Sequence, residues 1–136
     1  MYQRNSIAPL KKILKEGDSI LMLGPRQTGK TTLLHLLCPD AIHYDFADPG
    51  ERLRMARNPG LLVSEIQGRL PKGGMFTIDE VQKIPAIFDA VQVLLDNRQR
   101  HYTALLTGSS ARKIKRGAVN TLPGRVLQWQ LALLDQ

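Results

Sequence analysis

With 136 residues and a mass of 15.2 kDa, the chain has room for one domain and not two, since soluble domains typically run to about 100–150 residues. Hydrophobic residues make up 43% and charged residues 23%, with 11 Gly and 8 Pro, a mixture that excludes wholesale disorder and fibrous repeats. The net charge of +7 points to polyanionic partners such as nucleic acid, nucleotides or acidic lipid, and five of the seven excess charges fall in residues 81–136.

Short apolar runs alternate with helical patterns along the chain, which predicts an α/β layer architecture with a parallel sheet. An amphipathic stretch carries Ile7, Leu10, Ile13 and Leu14 on one face, and Ser19 to Gly24 follows as the first strand. A helix begins near Lys30 with Leu33, Leu34, Leu36 and Leu37, and Pro39 stops it. Cys38, the single cysteine, has no partner for an internal disulfide and reads as a buried helix residue in a reducing compartment. Ala41 to Phe46 is the second strand. Asp48-Pro49-Gly50-Glu51 then joins an N-cap acid, a proline at the first helical position and a glutamate three residues on. Asn58-Pro59 signals a second start, for Leu61 to Gln67.

Met75 to Ile78 is the third strand and ends in Asp79-Glu80. The helix after it starts at Pro85, with Ile84, Ile87, Phe88, Val91, Leu94 and Leu95 along one stripe and Asp89, Gln92 and Asp96 opposite. Tyr102 to Thr107 is the fourth strand. In Arg125 to Leu133, Leu127, Trp129, Leu131 and Leu133 alternate with Gln128, Gln130 and Ala132, which suits a fifth strand at a sheet edge with one face on the core. The N-terminus has no signal peptide and no run approaches the roughly 18–20 apolar residues of a membrane span, so the chain is expected to be cytoplasmic.

The chemistry is concentrated in two places. Gly24-Pro25-Arg26-Gln27-Thr28-Gly29-Lys30-Thr31 matches G-x-x-x-x-G-K-[ST], the phosphate-binding loop, and follows a strand and opens a helix as that motif requires. Glycines let successive N–H groups turn inward to phosphate oxygens, the helix aims its positive end at the same place, and Lys30 adds a full charge. These residues, with Thr32 next in line, are the candidate ATP-binding residues, and the Thr31 hydroxyl is a candidate ligand for Mg²⁺. At the tip of the third strand, Asp79 is the candidate to hold Mg²⁺ through its water shell, and Glu80 to polarise a water for attack on the γ-phosphate. Taken alone, an Asp-Glu pair after a strand is as well explained as a helix start.

In hydrolytic P-loop ATPases with an extra strand between the two motif strands, that strand ends in a polar residue that senses the γ-phosphate. Ala104 to Ser109 suits that strand, with Thr107 the first choice for the sensor and Ser109 the second, against a plain strand-end turn. GPRQTGKTTLL, YDFADPGERLR, FTIDEVQKIP, LLTGSSARKIKRG and LPGRV, in this order, resemble the bacterial and archaeal AAA-type ATPases whose P-loop core is normally followed by a C-terminal domain of unsettled function. The resemblance covers Ser19 to Val126. It implies a three-layer P-loop NTPase core of the ASCE/AAA type with sheet order 5-1-4-3-2, binding and hydrolysing ATP with Mg²⁺, and it carries the preference for adenine. It also implies that Arg125 can reach a γ-phosphate in its own or a neighbouring subunit of a homo-oligomer, the alternative being a surface arginine before an edge strand. Residues 1–136 are then one AAA-type domain, a truncated form of a longer architecture.

Arg112-Lys113-Ile114-Lys115-Arg116 places four cations in five positions. A solvated face, a nucleotide or inter-subunit contact, and a nucleic-acid contact all fit it, and no aromatics are interleaved to form a stacking platform. It supports a second functional reading, a nucleotide-dependent switch or binding module that contacts nucleic acid or a partner protein through this segment with little turnover. His35, His43 and His101 are scattered in sequence without the spacing of a zinc site.

Overall fold

A computed structural model describes residues 4–24, 29–109 and 126–130. In chain order the elements are α1 (Arg4–Lys15), β1 (Ser19–Leu23), α2 (Lys30–Leu37), β2 (Ile42–Asp45), α3 (Pro49–Arg57), α4 (Leu61–Arg69), β3 (Gly74–Asp79), a 3₁₀ turn (Val81–Lys83), α5 (Ile87–Leu95), β4 (Tyr102–Gly108) and β5 (Val126–Gln130). The five strands form one sheet in the order β2-β3-β4-β1-β5, every neighbouring pair parallel. This is the sheet order expected from the resemblance, read from the other edge.

Period-two alternation sorts the strands' side chains between two apolar layers, as a sheet covered on both faces demands. Ile20, Met22 and Leu105 pack with Leu10 and Leu14 of α1 and Leu33, Leu34 and Leu37 of α2. Leu21, Leu23, Phe76, Ile78, Ala104 and Leu106 turn the other way, onto Met55 of α3, Leu62 and Ile66 of α4, and Ile87, Phe88, Val91 and Leu94 of α5. β1 and β4 are buried along their whole length, which is why both read as continuous apolar runs.

Local signals account for most boundaries. Asp48 is extended (φ −77°, ψ 120°) and its carboxylate accepts from the Glu51 amide at 2.9 Å, so Asp48-Pro49 does start α3. α4 starts at Leu61 as expected, but three details differ from the sequence expectation. At α4 the N-cap is Gly60, in helical conformation and without a side-chain cap; Asn58 instead ends α3 and offers only its carbonyl, to the Leu61 amide at 3.0 Å. α5 begins at Ile87 rather than Pro85, because the 3₁₀ turn and a further turn, closed by the Ile84 and Pro85 carbonyls, precede it. On β5, Leu127 is 47% exposed rather than on the core face: an edge strand has one neighbour only, and it is Val126 and Trp129 that pack against the two apolar layers. Leu131, Ala132 and Leu133 lie outside the described residues. Cys38 is buried just past the last residue of α2, and burial pushes its thiol up to about 11, so it stays protonated at neutral pH.

The β2 edge is tied down by charge. Arg54 of α3 donates to Glu51 at 2.5 Å and to Glu65 of α4, and Glu65 also accepts from the Tyr44 hydroxyl of β2 at 3.0 Å. The Arg54 guanidinium holds the Glu65 carboxyl below its ordinary value, with burial opposing and Tyr44 assisting. A carboxyl depressed on folding contributes stability that is present above its unfolded pKa, about 4.3, and lost as pH falls through the folded value. Both charged groups are partly exposed, so the contribution is small, about 0.2–1 kcal/mol. We expect Glu65→Gln to melt about 1–4 °C below the unmodified chain at pH 6–7, the two curves converging as pH drops from about 5 to 3; a gap that widens on acidification contradicts the assignment.

Candidate functional site

The carboxyl ends of β1, β3 and β4 meet the amino end of α2, and alternation decides which side chains arrive there. Phe76 and Ile78 face α5, so Thr77 and Asp79 face α2; on β4, Ala104 and Leu106 face α5, and Leu105 and Thr107 face α2. Gly24 leaves β1 with its amide bonded to the Gly108 carbonyl at the end of β4, 3.2 Å away. Gly29 stands at φ 78°, ψ 23° as the N-cap of α2, a left-handed conformation that glycine adopts without steric cost and that swings the chain into the helix at Lys30.

Lys30 is 4% exposed. Its ammonium donates to Gly24 O at 2.7 Å and Gly108 O at 3.1 Å, and lies 3.6 Å from Glu80 Oε2. An ammonium has three protons, and these three oxygens offset the desolvation of a buried cation. Thr31, one residue on, donates its hydroxyl to Asp79 Oδ2 at 2.5 Å. Asp79 is buried, and its Oδ1 accepts from the Thr107 hydroxyl. Thr107 Oγ1 in turn accepts from the Glu80 amide at 2.9 Å.

Glu80 is the one non-glycine residue with positive φ among the described residues, at φ 57°, ψ 52°. That conformation is uncommon for a side chain of this size, and such strain gathers at functional sites. It turns the chain sharply off β3, and the side chain, 14% exposed, ends between Lys30 and Gln82.

Lys30, Thr31, Asp79, Glu80, Gly24 and Gly29 are therefore gathered in one place. Thr32 occupies the next, exposed position of α2. Thr107, the first choice for the sensor, is fully buried, and its hydroxyl donates to Asp79. Ser109, the second choice, follows Gly108 and is half-buried, with Oγ accepting from Gln82 Nε2 at 3.2 Å. Two contributors escaped the sequence reading, the Gly108 carbonyl and Gln82. The only signal for Gln82 was a polar residue between the buried Val81 and Ile84. Pro25, Arg26, Gln27, Thr28, Arg125 and the 112–116 cluster lie outside the described residues. The histidines also behave differently from their scatter in sequence. The rings of His35 (α2) and His43 (β2) lie 4.2 Å apart and tilted 47°, His43 Nδ1 is 2.7 Å from Thr77 Oγ1, and burial followed by His35 lowers the His43 pKa. Among the described residues no group of three or more His, Cys, Asp or Glu is arranged to hold a metal. No helix among them is long and apolar enough to cross a membrane.

A parallel sheet in this order, with a phosphate-loop lysine and an acidic strand tip facing each other across its central strands, defines an AAA-type P-loop ATPase core, a nucleotide-binding fold. The chain belongs to the AAA domain family, whose sequence profile matches residues 16–136. The uncharacterized protein Rv2008c of Mycobacterium tuberculosis is 34% identical over 126 residues, covering 91% of this chain and 27% of that protein; the chain thus spans about a quarter of the length of the curated relatives it matches. Among solved structures, the T158V variant of Thermotoga maritima RuvB superposes with a TM-score of 0.63 at 17% identity, over 92% of this chain and 43% of that one. The FIGL-1 AAA domain in complex with ADP gives 0.57 at 15%, over 92% and 49%. At such identities the likeness is one of fold.

Proposed function

We propose that this chain binds ATP together with Mg²⁺ and hydrolyses it. The observation that carries the reading is the convergence of Lys30, Thr31, Asp79 and Glu80 within one hydrogen-bonded cluster at the carboxyl ends of β1 and β3, the position at which open α/β sheets receive ligands.

The residues from Gly24 to Thr32 are assigned to the phosphates, to which the amino end of α2 offers its unpaired N–H groups and positive dipole end. Lys30 leaves the Gly24 and Gly108 carbonyls and Glu80 for the β- and γ-phosphate oxygens. The Thr31 hydroxyl and the Asp79 carboxylate are hard oxygen donors side by side, the set that Mg²⁺ prefers, and would hold it directly and through water. When bound, Mg²⁺ neutralises charge on the β- and γ-oxygens. Thr107 keeps Asp79 aimed while holding the Glu80 amide. Freed from Lys30, Glu80 orients a water in line with the γ-phosphorus. The water oxygen bonds to phosphorus as the bond to the bridging oxygen breaks, the proton passes to Glu80, and ADP departs with the electron pair. Ser109 takes the sensing position, its proton free for a γ-oxygen.

Arg125, outside the described residues, is assigned to reach a γ-phosphate in its own or a neighbouring subunit of a homo-oligomer, where an arginine stabilises charge developing in the transition state.

Thermal unfolding with ATP, GTP or ADP, with and without Mg²⁺, tests the binding half. Ligand at about 100 times Kd adds about 2.7 kcal/mol, a rise in Tm of about 10 °C for a chain this size. We expect that rise with ATP and ADP, larger with Mg²⁺ for ATP, and phosphate release in the same samples. No shift with any nucleotide at millimolar concentration rejects the proposal, and a shift without phosphate release leaves the switch reading standing in its place.

A further inference from the structure

Glu80 is held by a side chain that the hydrolysis scheme does not use. In the 3₁₀ turn after β3, Gln82 Nε2 donates to Glu80 Oε1 at 2.7 Å and to Ser109 Oγ at 3.2 Å. One amide thereby joins the turn leaving β3 to the loop leaving β4. Its orientation is set by charge, because a carboxylate only accepts and the NH₂ end must face it. Both N–H groups are then used. The other end, Gln82 Oε1, is buried without a hydrogen-bond partner among the described residues. For a side chain with a packing role alone this is unfavourable, since a buried acceptor left unpaired opposes folding. Ser109, accepting from Gln82, keeps its own proton for another acceptor.

We propose that Gln82 is a positioning residue that locks Glu80 and Ser109 into one geometry, so that the base and the γ-phosphate contact are set together. The inference rests on the ATPase reading above and adds to it a coupling between the two strand ends. Gln82 touches neither ATP nor the reacting atoms through its NH₂ group; it acts through the carboxylate and the hydroxyl it holds. The left-handed turn at Glu80 is what allows a residue only two positions later to reach back to it.

Gln82→Met keeps the length and bulk of the side chain and removes both N–H donors; Gln82→Ala is the second variant should the first fail to melt cooperatively. Phosphate release and ATP affinity are measured on the same preparations, with Glu80→Gln, Ser109→Ala and the pairwise doubles. We expect kcat to fall about 10- to 100-fold with the ATP dissociation constant within about twofold of the unmodified chain. Glu80→Gln/Gln82→Met is expected to be no slower than Glu80→Gln alone, and Ser109→Ala/Gln82→Met to lose less than the product of the single losses. A Gln82→Met chain with unchanged kcat, a loss confined to ATP affinity, or fully multiplicative doubles overturns the inference while leaving the ATPase reading intact. An unmodified chain that releases no phosphate overturns both.

Discussion

Glu80→Gln is expected to lower ATP turnover by about 10²- to 10⁴-fold, the range for losing a positioned general base, and to leave ATP-dependent thermal stabilisation at or above its unmodified size. The substitution is close to isosteric, and glutamine tolerates the left-handed backbone at position 80 no better and no worse than glutamate, so strain is unchanged. Glu80 meets Gln82 through Oε1 and Lys30 through Oε2, so the one amide oxygen of the variant keeps one of these contacts and loses the other. The loss that bears on turnover is the ability to take a proton. Binding gains if anything, because Lys30 no longer leaves a full countercharge behind when it turns to the phosphates. Glycine at this position is a poorer test, since it relieves the strained turn while removing the base. Single-turnover phosphate release with radiolabelled ATP, beside a melting curve in ATP and Mg²⁺, separates the two effects. Turnover within a factor of three of the unmodified chain would falsify the role given to Glu80.

Lys30→Met is expected to abolish the ATP-dependent rise in Tm at concentrations that saturate the unmodified chain, and to cut turnover by at least about 10²–10³-fold, the range for removing one charge-stabilising donor. It also carries a cost without nucleotide. Methionine replaces the buried stem at similar volume, but the Gly24 carbonyl loses the lysine donor, the Gly108 carbonyl is left with the Gly24 amide, and Glu80 loses its cation. An unsatisfied buried acceptor costs about 1–3 kcal/mol, while relief from burying a charge offsets part of it, so a fall of about 3–8 °C in the Tm of the nucleotide-free protein is expected. The two readouts are independent. A variant that melts normally and still responds to ATP contradicts both the buried-pair description and the phosphate role.

Much of this was legible from the residues because two periodicities were clear. Ser19 to Leu23 and Tyr102 to Thr107 read as continuous apolar strands since each is covered on both faces, and the stripe Ile87, Phe88, Val91 and Leu94 read as a helix facing the core. The phosphate-loop pattern and the Asp79-Glu80 tip were found because the chemistry demands residue types at fixed positions relative to a strand end. Other features depended on geometry that local pattern does not encode. Thr107 and Ser109, two residues apart, have the same parity in sequence, and only the folded chain shows their different partners, Asp79 for one and Gln82 for the other. Gln82 could not be singled out without knowing that Glu80 is left-handed. His35 and His43 meet because α2 packs on β3 and β2 pairs alongside that strand, and Leu127 is exposed because an edge strand has one neighbour. These are tertiary facts, decided by what lies across the sheet.

The order of the sheet has a consequence for how the chain comes off the ribosome. Among the described strands β1 is made first, yet its two partners are made after the others: Ile20 pairs with Leu105, and Ser19 with Val126. Until β4 emerges, the strand that carries the phosphate loop has no hydrogen-bonding neighbour, although β2 and β3 can already pair with each other. At synthesis rates of about 5–20 residues per second, its apolar side chains wait for several seconds as an open template for other chains. Nascent chains halted before residue 102 should therefore be the aggregation-prone species, and the nucleotide site can assemble only once β4 has emerged.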